Sequence, residues 1–322
     1  MKLKQKFYDP YRDGVTQSLL SMWLECRQKA LYCLQGYTPK GVSASMTQGT
    51  VGHGVLQFVY EAMSQGKLKG PPNAAYVSKV IDKVEKIWKA ENPRASRQAL
   101  QDLELAGLHA MHLLPIYFDY WKDDFKKLVW LSLEMDFKVP LPVKNGKIVP
   151  VRGKMDGVFK RSGVWLFETK FKGMINEGNI LDTLSLDLQV NLYLWALYTL
   201  HGIQPSGVLY NVVRRPGLSQ GKKETFAKFC TRLAKDINNR PDWYFYRFEV
   251  STDKDDMRKW TAEFEPMMEE FLAWWEGLSG HYRTSNACVS KYGRCWGLSP
   301  CAENNFHNLT KRKTVFRELE DL

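Results

Sequence analysis

The stretch that most constrains this chain runs from Val151 to Phe171, VRGKMDGVFKRSGVWLFETKF. Two runs rich in Val, Phe and Trp flank Arg161-Ser162-Gly163, and a three-residue connection ending in glycine suits a β-hairpin whose closing residue has positive φ. With Ser162 at the centre, Asp156 falls opposite Glu168, and strand alternation puts Lys170 on the face of Glu168. Met155, Phe159, Trp165, Phe167 and Phe171 then form an apolar face predicted to lie on the core. Like charges directly opposite one another destabilise a sheet. A pair kept there calls for a cation between the carboxylates, and hard oxygen ligands suit Mg²⁺ or Mn²⁺. The hairpin reads as a metal site with a lysine beside it.

Periodicity organises the rest of the chain around this hairpin. Thr16 to Gln35 is predicted to be one amphipathic helix carrying Cys26 and Cys33. A loop of small residues, GVSASMTQGTVG, precedes a helix opened by His53. Residues 75–90 and 96–128 read as further helices, with Pro115 marking a kink or break in the second. Leu128 to Val143 reads as a strand carrying Glu134 and Asp136. Ile180 to His201 reads as a long helix with Gln189 and Tyr193 on one face. Gly207 to Arg215 and Trp243 to Val250 read as strands, and residues 252–277 as a helix. This order implies an α/β fold, a mixed β-sheet core flanked by helices. The expected organisation is one domain over residues 1–322, with a helical elaboration at about 54–128 and a cysteine-rich segment at about 279–305.

Charge narrows the partners. The 46 basic and 35 acidic residues give a net +11 and a pI near 9.2, which favours a polyanion, most simply nucleic acid. Basic residues interleaved with aromatics (Arg214-Arg215, Lys222-Lys223, and Arg240 near Trp243 and Tyr244) suit a nucleic-acid strand. No apolar run is long enough to span a membrane, and the basic N-terminus lacks the apolar stretch of a secretory signal. Six unevenly placed cysteines point to a reducing, cytoplasmic compartment. The chain has no P-loop, so no helicase motor is expected.

Asp156, eleven intervening residues, then Glu168-Thr169-Lys170 resembles the pattern of the PD-(D/E)xK nuclease superfamily. Further motifs resemble its RecB-like exonuclease branch: Gly49-Thr50-Val51-Gly52-His53, Arg152-Gly153-Lys154-Met155-Asp156-Gly157 and, after the lysine, Gln189-Val190-Asn191-Leu192-Tyr193. The resemblance spans about residues 16–301. It implies a restriction-endonuclease-like fold and a metal-dependent exonuclease acting on DNA ends in recombination, repair or DNA processing. By the same resemblance His53, Asp156, Glu168 and the carbonyl of Thr169 would hold one or two Mg²⁺ or Mn²⁺ ions. Lys170 would orient or activate the attacking water, and Gln189 and Tyr193 would contact DNA or fix Lys170.

Cys288, Cys295 and Cys301, with Cys26 far upstream, resemble the iron–sulfur staple of AddB-type and CRISPR-associated nucleases, implying a 4Fe–4S cluster. The six-residue first gap departs from the two-residue gap of that pattern, and Zn²⁺ is the alternative at four thiolates. Cys33 is a second choice for Cys26, and Cys230 is expected in the core. A stand-alone nuclease of this kind resembles those of phages and mobile elements, working beside a single-strand annealing protein or a helicase. A structure-specific endonuclease of the same fold and a non-catalytic DNA-binding module are the rival readings. Glu134 is a weaker candidate, beside the site or simply exposed.

Overall fold

A computed structural model describes residues 7–41, 43–290, 293–312 and 315. In chain order, β1 (Val15–Thr16), α1 (Gln17–Glu25) and α2 (Arg27–Leu34) lead into three long helices, α3 (Ala44–Ser64), α4 (Ala74–Glu91) and α5 (Arg97–Tyr120). The strands β2 (Val129–Pro142), β3 (Ile148–Lys160) and β4 (Val164–Lys172) follow as an antiparallel meander. After α6 (Glu177–Thr183) and α7 (Leu188–His201) come β5 (Gly207–Arg214), α8 (Phe226–Asn239), β6 (Phe245–Ser251) and α9 (Lys254–Trp275), then a C-terminal segment containing α10 (Leu298–Glu303).

The six strands β1 to β6 form one mixed sheet, β4 and β5 pairing in parallel and β5 and β6 antiparallel. All eight residues of β5 are buried, because helices cover both faces there and the strand reads as a continuous apolar run. Val208, Tyr210 and Val212 enter a core with α1, α2, α7 and α9, while Leu209 and Val213 enter a second core with α3, α4, α5 and α8. The architecture is mixed α/β, a mixed sheet with helices on either side. Among the described residues no helix is long and apolar enough to cross a membrane.

Several elements depart from their sequence expectation for local reasons. The small-residue stretch before His53 is helical from Ala44, because Ser43 caps the helix by accepting from Met46 N–H and Thr47, Val51 and Val55 are buried at helical spacing. His53 therefore lies in the middle of α3. Gly52 is required there: a Cβ at this position would come within 2.2 Å of the Phe171 ring. The expected helix from Thr16 to Gln35 breaks at Cys26, which is extended (φ −162°, ψ 115°). The helix expected from Ile180 breaks likewise, and α7 starts afresh where Asp187 accepts from Val190 N–H. Pro115 lies inside α5 without interrupting it; the residue whose carbonyl loses its partner, Met111, is 40% exposed, so water reaches it. Trp243 belongs to a short helical turn, and β6 begins at Phe245.

The hairpin keeps the expected register as far as it goes. Phe159 pairs with Trp165 and Gly157 with Phe167, and Gly163 in the turn has φ +147°. Phe159, Trp165 and Phe167 all enter the second core as predicted, but Met155 packs in the first core, together with Val158. Two residues three apart cannot share a face in a regular strand, so alternation slips between Met155 and Val158. The neighbouring β2 shows the same slip. Leu133 packs against the second core and Met135 against the first, and Glu134 between them has φ +49°. Both irregularities flank Asp156.

Candidate metal centre

Asp156 sits in a fork. On one edge of β3, β1 pairs with Val151 and Arg152 and β4 with Gly157 to Lys160, leaving the edge between them without a ladder partner. The Asp156 carboxylate uses this gap: its Oδ2 accepts the Thr169 backbone N–H at 2.7 Å. On the other edge Glu134 lies across from Asp156, between the pairs Leu133–Gly157 and Met135–Met155. Positive φ at a non-glycine residue stores strain and gathers at functional sites.

His53, Glu134 and Asp156 each offer a ligand atom, and the three atoms lie within 4.8 Å of one another. His53 Nδ1 is 3.5 Å from Asp156 Oδ2, and its ring packs edge-on against Phe171, centroids 5.4 Å apart. Lys154 Nζ holds Glu134 Oε2 at 3.0 Å. The donor set is hard oxygen plus imidazole, which suits Mg²⁺ or Mn²⁺.

Glu168 and Lys170 stand beside this group on β4. Lys170 Nζ donates to Glu168 Oε1 at 2.6 Å and to Gln189 Oε1 at 2.7 Å. Gln189 Nε2 in turn donates to Glu168 Oε1 at 3.0 Å and to the Tyr193 hydroxyl at 3.2 Å. The i and i+4 positions of α7 thus form one polar ridge against β4. Tyr193 is fixed further by an edge contact with Phe137, 5.5 Å between centroids. Glu168 is 1% exposed, and its second oxygen, Oε2, is buried with no partner. A buried carboxylate oxygen left so is costly, and a cation beside it would relieve that cost. The residues present fit a divalent ion.

The electrostatics agree. Burial pushes the Asp156 carboxyl up to about 7, and burial together with the Asp156 charge does the same to Glu168. Burial pulls Lys170 down, but the Glu168 carboxylate beside it outweighs this and the net shift is upward, so the side chain is an ammonium. Burial lowers His53, leaving a neutral imidazole suited to a metal.

Behind the site a second buried network supports Thr169. Arg247 donates to both carboxylate oxygens of Asp124, at 2.7 and 2.6 Å, and through Nε to Asn211 Oδ1 at 3.2 Å. Asn211 Nδ2 reaches Thr169 Oγ1 at 3.3 Å. Sequence reading did not find this network. Glu134, expected beside the site or exposed, lies opposite Asp156, because the Asn145-Gly146 turn sets Pro142 opposite Ile148. Thr169 gives its backbone N–H to Asp156, where the resemblance implied a role for its carbonyl.

Cys26, Cys288, Cys295 and Cys301 line one small cavity with Lys29, Arg283 and Leu298. Cys26 reaches it because of the break between α1 and α2. Cys33 packs instead against the first core, and Cys230 is half-buried on α8. None of the six cysteines is in a disulfide. Burial raises the thiols of Cys295 and Cys301. Among the described residues no three cysteine sulfurs lie within 4.8 Å of one another.

The basic pairs separate. Arg214 is 9% exposed, donates to the Trp243 carbonyl at 2.7 Å and stacks on that ring at 3.9 Å. Arg240 is paired with Asp236. Lys222 and Lys223 are exposed.

No protein-family model matches this chain, and no curated protein matches it. Among solved structures, it is similar over the whole of both chains to a protein from Eubacterium rectale named "Putative exonuclease", with 11% identity and a TM-score of 0.49. A second, SSO0001, is similar over 70% of this chain and 74% of its own, with 13% identity and a TM-score of 0.29. Likenesses this weak carry no assignment of family or activity.

Proposed function

We propose that this chain is a metal-dependent deoxyribonuclease of the RecB-like PD-(D/E)xK type that hydrolyses phosphodiester bonds from DNA ends. The observation that carries the reading is the ammonium of Lys170, held by Glu168 and Gln189 next to the group His53, Glu134 and Asp156. Bound there, Mg²⁺ or Mn²⁺ would supply Lewis acidity to the scissile phosphate and a more acidic water. His53, Asp156 and Glu134 would hold the ion, with Glu168 Oε2 offering a further oxygen. Lys170 remains protonated beside Glu168, so it does not act as the base. It offers fixed positive charge and N–H donors where negative charge grows on the phosphate. Gln189 orients that ammonium through Oε1, and Tyr193 and Phe137 keep Gln189 in place. The preference for ends rests on the resemblance carried by Gln189 and Tyr193.

Away from this site the four cysteines would hold a 4Fe–4S cluster, with Zn²⁺ as the alternative, a reading supported by their shared cavity. Work in recombination, repair or phage DNA processing, beside an annealing protein or a helicase, belongs to the same reading.

Labelled linear single- and double-stranded DNA, beside a covalently closed circle, tests it with Mg²⁺ and then EDTA, with Asp156→Asn as contamination control. Loss of the linear substrates alone, abolished by EDTA and by the variant, is the expected result. Cutting of the circle would replace the exonuclease by an endonuclease. Binding without cleavage in either metal would leave a DNA-binding module.

A further inference from the structure

Arg215 differs from the other arginines around β5 and α8. Arg214, Arg232, Arg240 and Arg247 are each tied to a carbonyl or a carboxylate. Among the described residues no carboxylate pairs with Arg215; its side chain makes one long contact, Nη1 to Gln48 Oε1 at 3.5 Å. Its Nε is buried without a partner, and burial lowers its pKa. The guanidinium lies over Gly173, where a Cβ would come within 3.1 Å of Nη2.

The same cavity contains a second unmatched donor. Gln48, His109 and Arg215 line it together with Gly52 and Phe171. His109, on α5, is 5% exposed, and its Nδ1 lies 2.8 Å from Gln48 Nε2. The Gln48 oxygen faces Arg215, so its amide nitrogen donates to Nδ1, and the proton of the neutral ring sits on Nε2. That Nε2 is buried with no partner. The two residues with unmatched N–H groups thus line one cavity, and its lining residues include no acid. Its volume, about 20 Å³, is room for one oxygen atom. Water would satisfy the donors; an anionic oxygen would in addition pair with the half-buried guanidinium charge.

The cavity adjoins the metal centre. Gly52 precedes His53, and Phe171 packs on both of them. Gln48 lies five residues before His53 on α3, about 7.5 Å along the helix axis, a step of one or two nucleotides along a strand.

We propose that Arg215, His109 and Gln48 form a seat for one backbone phosphate of the DNA strand whose neighbouring phosphodiester lies at the metal centre. One non-bridging oxygen enters between Arg215 Nε–H and His109 Nε2–H. The seat fixes how far the strand advances past His53, and it rests on the nuclease reading above.

Fluorescence anisotropy with end-labelled DNA oligonucleotides in EDTA, over a range of salt, measures the seat without cleavage. Arg215→Gln is expected to weaken binding about tenfold at low salt and to reduce the slope of log K against log salt by about one. Gln48→Glu, which places the missing carboxylate beside Arg215, is expected to do the same without emptying the cavity, and so covers the case in which Arg215→Gln does not fold. A single neutral methylphosphonate at one backbone position should weaken wild-type binding and leave the folded variants unaffected. Wild-type slope and methylphosphonate sensitivity in a folded variant would overturn the seat and leave the nuclease reading standing. A wild-type protein that neither binds nor cuts DNA would remove the nuclease reading and the seat with it.

Discussion

The backbone N–H of Thr169 donates to Asp156 Oδ2 at 2.7 Å, just beyond Gly157–Phe167, the last ladder pair of the hairpin. The strands stop pairing through their backbones where the carboxylates would otherwise face each other, and a side chain takes over the bond. This keeps one oxygen of Asp156 anchored where the ladder ends.

Removing the charges of this fork should end cleavage and leave the fold. Asp156→Asn and Lys170→Met are each expected to lower the rate of DNA hydrolysis at least about 100-fold, with circular dichroism unchanged. Undiminished hydrolysis by either purified variant would show that the chemistry lies elsewhere.

Divalent metal should stabilise the protein even without DNA. Asp156 and Glu168 are both pushed up to about 7 by burial, Glu168 also by the Asp156 charge, and a cation relieves that strain. At a hundred times its Kd, Mn²⁺ should add about 2.7 kcal/mol, read as a rise in melting temperature. Glu134→Gln should shrink the rise; a full rise in this variant would remove Glu134 from the site.

The network behind the site makes a stability prediction. Arg247 and Asp124 are nearly inaccessible, with 10% and 7% of their side chains exposed, and leaving one buried charge alone costs about 3–5 kcal/mol. Arg247→Met should therefore lower unfolding free energy by that order in urea titrations. Asn211→Ala removes only the link to Thr169 and should cost much less stability.

His109 gives stability a pH dependence. Burial, with His112 and Arg215 nearby, lowers it from 6.5 to about 4. The folded ring stays neutral where the unfolded one takes up a proton, so its contribution is intact above pH 6.5 and is lost as pH falls from 6.5 to about 4. The loss amounts to about 3 kcal/mol. His109→Gln should flatten that part of the stability curve; an unchanged slope would show that His109 charges freely in the fold.

The cysteine cavity predicts a metal content. Protein purified without oxygen should contain iron and absorb visible light, and Cys295→Ala should lose both and melt at lower temperature. Iron-free wild-type protein from such a preparation would count against the cluster.

Much of this arrangement was legible in the chain, because β-hairpins and amphipathic helices are local. Ser162 as turn centre sets Gly157 against Phe167, and the spacing of Gln189 and Tyr193 puts both on the face of α7 that meets Lys170. What escaped depends on contacts distant in sequence. The helical turns before His53 look like a loop until Phe171 packs on Gly52. The slip at Met155 lies beside the positive φ of Glu134, and strand periodicity carries no sign of either. Arg247 and Asp124 are 123 residues apart and meet only when the sheet is formed.

The fork at Asp156 also bears on the order of folding. Its groups come from α3, β2, β3, β4 and α7, segments between residue 53 and residue 193, so no single hairpin or helix carries it. Contacts so far apart require the entropy of closing long loops to be overcome. A chain still emerging or half-collapsed can hold α3 and the bare hairpin, yet lacks the arrangement that brings His53, Glu134 and Lys170 around one carboxylate. Whatever chemistry the fork performs is therefore confined to the finished molecule.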